Sequence, residues 1–291
     1  MSGLHSPDRL RVGVHANNLH LRLARLLAEK EGDQRWTFVD YPDGRATGEL
    51  LAGGEIELGG TGSTPPLTAQ DLGLEVVYLA ASQPRPANGA ILRRKDEAEV
   101  ALAGLKGCRI ALVEGSFHTY LLAHLAERAG LGLADFNRID LSPVASARAL
   151  RQGEVAAWIA MDPHLPVELD RGGLVAMADT RGVIPNRSLF WTHRPVLDRR
   201  PNQIAAFHKH IARIARFVED HAEAAARQLS ASGDVDEAQW LAVLRSRDWR
   251  ISAIDAAVLA EQEQEAACLV RHGILRRALG LSRFEDAAAS A

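Results

Sequence analysis

Short apolar runs alternate with helical stripes through the first two thirds of the chain, and this rhythm restricts the fold more than any other feature. Leu10 to Val14 reads as a strand, and Leu19, Leu23, Leu26 and Leu27 then set an apolar stripe along a helix. Trp36 to Tyr41 is the next strand, 46–51 a short helix, 56–60 a strand, 65–72 a helix and 76–80 a strand. A second series has strands at 90–92, 109–113, 137–141, 157–160, 174–177 and 188–192. Helices at 102–105, 118–129 and 145–152 are interleaved with it. Strands and helices at this spacing imply βαβ units and a mainly parallel sheet. After Pro195 the pattern turns almost wholly helical, with helices expected over 203–220, 222–229, 235–245 and 253–272. Residues 286–291 are expected to fray.

A chain of 291 residues suits one large domain or two medium ones. The pattern passes between two α/β series near Ala90 and again near Ser188. The expected organisation is therefore two lobes with a cleft between them. Residues 9–88 with 193–291 form the first lobe and 89–192 the second. Lys and Arg number 34 against 37 Asp and Glu, for a net charge of −3. That balance excludes a nucleic-acid binder working by bulk phosphate neutralisation. No run of 18 apolar residues exists to cross a bilayer. Cys108 and Cys268 have no CxxC or CxxH neighbours, and HExxH does not occur. No metal and no cofactor is expected. The opening Met1 to Arg9 lacks the basic-then-apolar layout of a secretory signal. It implies a cytoplasmic protein if Met1 is the native start, and an exported one if a leader has been removed.

In open sheets, ligands bind at the carboxyl ends of strands, where loops run into helix N-termini. The loops at those positions are His15-Ala16-Asn17-Asn18, Gly60-Thr61-Gly62-Ser63-Thr64, Ala81-Ser82-Gln83, Glu114-Gly115-Ser116-Phe117-His118-Thr119 and Ala160-Met161-Asp162-Pro163-His164. Two of them are rich in Gly, Ser and Thr and open directly into helices. Exposed N–H groups and the positive helix end make such a place an anion site. Thr61, Ser63, Thr64, Ser116 and Thr119 offer neutral hydroxyl donors, and neither loop contains Lys or Arg. The expected ligand is a weakly basic oxyanion held by dipoles and hydroxyls. Taken singly, Ser63, Thr64 and Ser116 read equally well as plain helix caps. Phe117, Trp158, Phe190 and Trp191 lie beside cleft loops or crossings, where an aromatic wall accepts the apolar part of an organic ligand. GxGxxG, GxxxxGK[ST] and GxSxG are all absent, so no nucleotide site or hydrolase nucleophile is read. No catalytic constellation emerges.

The stretch from Glu55 to Gln70, EIELGGTGSTPPLTAQ, resembles the aliphatic sulfonate-binding proteins of ABC importers. So do Leu105-Lys106-Gly107 with Arg109-Ile110-Ala111 and Gly115-Ser116, Ala147 to Leu150 with Gly153-Glu154-Val155, and Trp158 with Asp162-Pro163. The likeness runs from about Leu10 to about Leu275 and extends to taurine, nitrate and riboflavin-precursor binders. It implies a periplasmic binding protein type II fold, two lobes closing on a ligand by a hinge. It also implies capture of a small organosulfonate or similar oxyanion, delivery to an ABC permease, a periplasmic location and a monomer. Its ligand positions fall on Asn17, Asn18, Thr61, Gly62, Ser63, Thr64, Ser82, Gln83, Ser116, Phe117, His118, Thr119, Trp158 and Asp162, with His164 beside them. His164 stands where the sulfonate group often has tyrosine, which points away from simple alkanesulfonates. The same fold also serves cytoplasmic enzymes, among them aromatic sulfinate desulfinases and decarboxylases. A desulfinase of that kind needs a cysteine near the first-strand loop, where this chain has Asn17 and Asn18. A LysR-type effector domain ranks last, because no helix-turn-helix precedes Arg9.

Overall fold

The computed structural model describes residues 9–85, 88–231 and 235–284. The expected fraying at 286–291 lies outside them. The first lobe opens with β1 (Leu10–His15), α1 (Leu19–Glu31), β2 (Trp36–Tyr41) and α2 (Thr47–Ala52). It continues with β3 (Gly59–Thr61), α3 (Thr64–Asp71) and β4 (Val76–Ser82). The second lobe holds β5 (Gly89–Arg94), β6 (Arg109–Leu112), α4 (Phe117–Arg128), β7 (Asn137–Asp140) and α5 (Pro143–Arg151). It ends with β8 (Ala157–Met161), α6 (His164–Asp170) and β9 (Leu174–Asp179). The chain then returns through β10 (Leu189–His193), α7 (Arg194–Arg199), α8 (Pro201–Ile211) and α9 (Ile214–Ser230). It closes with α10 (Glu237–Arg245), β11 (Ile251–Ser252) and α11 (Ala256–Arg271). Among the described residues no helix is long and apolar enough to cross a membrane.

The sheets are mixed, which corrects the expectation of mainly parallel pairing. β1 pairs parallel with β2, and β6 pairs parallel with β7 and β8. The first lobe's four-stranded sheet, β11-β4-β10-β3, is antiparallel throughout. In the second lobe's sheet, β7-β6-β8-β5-β9, β5 runs against both its neighbours. β5 and β10 are the strands that follow the two crossings between lobes. Each inserts between two strands of the lobe it enters, β5 between β8 and β9, β10 between β4 and β3. A fully buried apolar run carries no record of strand direction, so the sequence pattern was silent on this point. β10 belongs to the first lobe's sheet, which ends the second lobe before Leu189 and not at Thr192.

The two crossings, 83–88 and 180–188, are tied to one another. The Ser82 N–H donates to the Ser188 carbonyl (2.8 Å), and the Ser188 N–H to the Ser82 hydroxyl (2.9 Å). The Arg85 N–H donates to the Pro185 carbonyl (2.9 Å). Asn186 takes a positive φ of 45°, which Asn tolerates better than most residues, and its side-chain amide donates to Asn88. These bonds fix the base of the cleft.

Within the helical tail, the stretch 201–230 breaks twice, so the helix expected over 203–220 is two. One break separates α8 from α9, and the other is a kink at His221 inside α9, close to the break expected near residue 221. Leu10, Val12, Leu21 and Leu23 build the first lobe's core with Phe190, Phe207 and Trp240 of the returning chain. Expected as part of the first lobe, α11 reaches both lobes. Ala266 and Leu269 pack with Leu121 and Leu122 of α4, and with Leu67 of α3.

Candidate functional site

Strand ends and helix starts from both lobes meet at the crossings and enclose a cavity of about 80 Å³. That volume admits a compact head group on a short chain and is well below the range of drug-sized sites. β1 ends at His15, and the turn behind it supplies Asn17 and Asn18. The loop after β2 adds Asp43, Gly44 and Arg45, and the end of β3 adds Thr61 and Gly62. The second lobe contributes Val113, Ser116 and Phe117 from the start of α4, and Met161 from β8. Arg85 and Ser188 come from the crossings themselves. Pro65, Val113, Phe117 and Met161 make the apolar part of the wall.

The polar groups divide into committed and open ones. The Ser116 hydroxyl caps α4, accepting from the His118 N–H (3.2 Å), and donates its proton to the Val113 carbonyl (2.7 Å). The Thr61 hydroxyl donates to the Gly62 carbonyl (2.8 Å) and accepts from the Trp191 indole (3.1 Å). Both protons are therefore taken within the protein. Asn18 caps α1, its Oδ1 accepting from the Leu21 N–H at 3.0 Å. Its Nδ2 is buried without a partner. The N-terminal ends of α1 and α4, one from each lobe, meet at this cavity.

Two arginines reach the wall, and they differ in kind. Arg45 donates to Asp140 (2.8 Å) and to the Glu114 carbonyl (3.1 Å) of the second lobe, and it pairs with Asp43 of its own. It is a latch across the cleft, already neutralised. Arg85 uses its backbone N–H and its Nε, the latter on the Asn186 carbonyl at 2.9 Å. Its two terminal nitrogens have no partner among the described residues. Burial and the neighbouring Arg247 charge lower its pKa to about 9, partly offset by Asp162, so it stays cationic at neutral pH. Arg247 itself is neutralised by Asp162 at 2.7 Å across the lobes. His20, nearby, is kept neutral by burial and by both arginines. The base of the cleft therefore carries one uncompensated positive charge. This corrects the expectation of a site without cations.

Of the expected site residues, the structure brings Asn17, Asn18, Thr61, Gly62, Ser116 and Phe117 to the cavity. The others face elsewhere. Ser63 and Thr64 turn toward α11, where the Ser63 carbonyl accepts from Gln262 (3.0 Å) and the Thr64 hydroxyl donates to Glu265 (2.5 Å). Ser82 ties the crossings together, and Gln83 donates to Ser252 (2.8 Å). The His118 ring is buried, accepts from the Val113 N–H (3.1 Å), and is pushed down to about 3 by burial. Thr119 accepts from the Gly115 N–H at 2.9 Å. Trp158 lies in the second lobe's core. Asp162 holds Arg247, and His164 opens α6 beside Arg148 and Glu168 on another pocket. His15, Asp43, Arg45 and Arg85 are cavity residues outside the expected set. The first three follow from the strand-end rule applied to the last residue of β1 and to the loop after β2. Arg85 sits two residues past Gln83, just beyond the loop as it was read.

Glu127, Cys268 and His272 also gather within 4.8 Å of one another, between α4 and α11. Arg271 holds Glu127 (2.8 and 3.0 Å), and burial pushes the Cys268 thiol up to about 12, which disfavours the thiolate a metal requires. Cys108 and Cys268 are both free thiols outside the cleft cavity.

A family model described as NMT1/THI5 like matches residues 37–225. A protein of Escherichia coli (strain K12) named for binding aliphatic sulfonates is 31% identical over 197 residues, which is 67% of this chain and 62% of that relative's length. One of Bacillus subtilis (strain 168) with the same name is 26% identical over 91% of this chain and 82% of its own. The crystal structure of the periplasmic aliphatic sulphonate binding protein SsuA from Escherichia coli superposes with a TM-score of 0.84 at 26% identity. That match covers 94% of this chain and 96% of the other. The alkanesulfonate-binding protein SsuA from Xanthomonas axonopodis pv. citri, bound to MOPS, gives 0.85 at 26% identity over 97% and 100%.

Proposed function

The chain belongs to the NMT1/THI5-like family, and from that premise we propose that it is the solute-binding component of an ABC importer, closing its two lobes on a small organosulfonate. The observation that carries the reading is Arg85. Its open guanidinium stands at the base of the cleft, where neither lobe neutralises it. A sulfonate is permanently ionised near neutral pH, carries one charge and offers three weakly basic oxygens. One such group balances the excess at Arg85. Asn18 Nδ2 and the N-termini of α1 and α4 supply further donors.

The arrangement also accounts for capture. Asn18 belongs to the first lobe, Ser116 and Phe117 to the second, and Arg85 to the hinge. A ligand touching all three is held best when the lobes are shut, so binding shifts the population toward the closed form. The short tail lies against Pro65, Val113, Phe117 and Met161. An external location on the importing side of the membrane, delivery to a permease and a monomeric state complete the proposal. The solved relatives named above support the binding role, and one of them the location, since their names describe sulfonate-binding proteins and one a periplasmic protein. The enzyme reading finds no support among them. Calorimetric titration with short alkanesulfonates, alongside thermal shift, tests the function. Saturation at 100 times the dissociation constant stabilises by about 2.7 kcal/mol, a readily measured rise in melting temperature. Absence of both heat and shift across the series refutes it.

A further inference from the structure

Resting on that reading, we infer that His15 selects ligands bearing a hydrogen-bond donor beyond the sulfonate, such as a hydroxyl or an ammonium group. The inference begins with two residues at the two ends of one turn, each with one nitrogen whose identity its other bond settles. Asn18 caps α1 through its oxygen, because only an oxygen can accept from the Leu21 N–H, so the atom left over is the donor Nδ2. The His15 Nε2 lies 3.1 Å from the Gly60 carbonyl. A carbonyl only accepts, so Nε2 bears the hydrogen. Burial holds the ring's pKa down to about 4, against smaller opposing effects of that carbonyl and Asp43, and the ring is neutral at pH 7. His15 Nδ1 is therefore a lone-pair acceptor.

Both residues line the cleft cavity, and both leftover atoms are buried without partners. A buried polar atom left unpaired is costly, and the two here ask for opposite things. Asn18 Nδ2 asks for an acceptor, which a sulfonate oxygen provides. His15 Nδ1 asks for a donor, which no sulfonate oxygen and no alkyl chain provides. Arg85, with its free nitrogens, draws the anion toward the hinge. A molecule that joins a sulfonate to a hydrogen-bond donor can satisfy both atoms, which a plain alkanesulfonate cannot.

The test is a matched set of ligands on the unmodified protein. Ethanesulfonate, 2-hydroxyethanesulfonate and 2-aminoethanesulfonate are compared by calorimetry, with the corresponding three-carbon set beside them. A site that bonds a ligand's OH or NH discriminates strongly against the analogue lacking it. At one of the two lengths, a donor-bearing member is expected to bind at least about tenfold tighter than its plain alkane. In His15→Phe, which keeps an aromatic ring against Tyr41, the ratio falls to near one, and because it is a ratio within the variant, a loss of affinity common to all six ligands does not enter it. Should that variant not fold, the ¹⁵N resonance of His15 Nδ1 serves instead. It reads as unprotonated in the free protein and moves upfield with the donor-bearing ligand but not with the alkane. Equal affinities across both sets overturn the inference and leave the sulfonate reading standing. A preference that survives His15→Phe overturns the assignment to His15. No binding by any of the six overturns both.

Discussion

Replacing Arg85 with methionine separates ligand recognition from folding. In the free protein the guanidinium contributes one side-chain hydrogen bond, from Nε to the Asn186 carbonyl at 2.9 Å. Against that stand its own desolvation and its repulsion from Arg247, the causes that lower its pKa to about 9. Losing a typical hydrogen bond costs about 1 kcal/mol, whereas a guanidinium pKa lowered to about 9 corresponds to several kcal/mol against the buried charge. The melting temperature of the free variant should therefore be no lower than that of the wild type. Binding behaves differently. Hydrogen bonds to charged groups contribute roughly 1.5–3 kcal/mol each, and the two free terminal nitrogens can supply two. A unit charge pair at about 4 Å is worth about 4 kcal/mol at an effective dielectric constant near 20, a figure that overlaps with those bonds and does not add to them. A loss of 3–4 kcal/mol weakens an alkanesulfonate by two to three orders of magnitude. Titration of wild type, Arg85→Met and Arg85→Lys at two salt concentrations reads this out. Lysine keeps the charge but loses the fork and the Nε bond, so it should fall between the other two. If Arg85→Met folds and binds within threefold of wild type, the anion is not held at the hinge and the site is wrongly placed.

Two further perturbations probe the frame around the site. The Glu265 carboxyl, bonded to Thr64 on α3, is raised to about 7 by burial against its hydroxyl partners. The folded protein then binds this proton more tightly than the unfolded chain. Its contribution to stability is greatest below pH 4.5 and declines as the pH rises toward 7. Glu265→Gln removes that decline, so the variant should gain on the wild type by roughly 3 kcal/mol between pH 4.5 and 8 in denaturant titrations. A difference that is flat or of opposite sign contradicts the assignment. The Asp162–Arg247 pair joins the lobes at 2.7 Å, with both side chains largely buried. Asp162→Ala leaves a buried guanidinium unpaired and should cost about 3–5 kcal/mol, most of it recovered in Asp162→Ala with Arg247→Met. An additive double variant would show that the two charges act independently.

The sequence revealed the strand ends better than it revealed side-chain direction. Asn17, Asn18, Ser116 and Phe117 were found because strand-to-helix loops must gather at one edge of a sheet. Trp158 was misplaced because β8 is buried on both faces, so alternation cannot say which side chains look into the cleft. Met161, on the same strand, is the one that does. His118 and Thr119 sit on the first turn of α4, next to a cavity residue, yet they turn inward and take the N–H groups of Val113 and Gly115. Ser63 and Thr64 resemble an anion loop, but the group that faces the Thr64 hydroxyl is the Glu265 carboxyl, about 200 residues away along the chain, beyond the reach of local pattern. Arg85 was missed for a related reason. Its role depends on the second crossing, whose Pro185 and Asn186 carbonyls hold it in place. Strand direction is hidden too, because β5 and β10 are buried along almost their whole length, so neither shows the alternation that marks a half-exposed strand.

The measurement that bears most directly on the central claim is a calorimetric titration of the purified protein with short sulfonates, run beside carboxylates of the same length and charge. One site per chain, saturable, with sulfonates bound and Arg85→Met silent, is the predicted result. Failure of every sulfonate to bind, or equal binding in wild type and Arg85→Met, would contradict it.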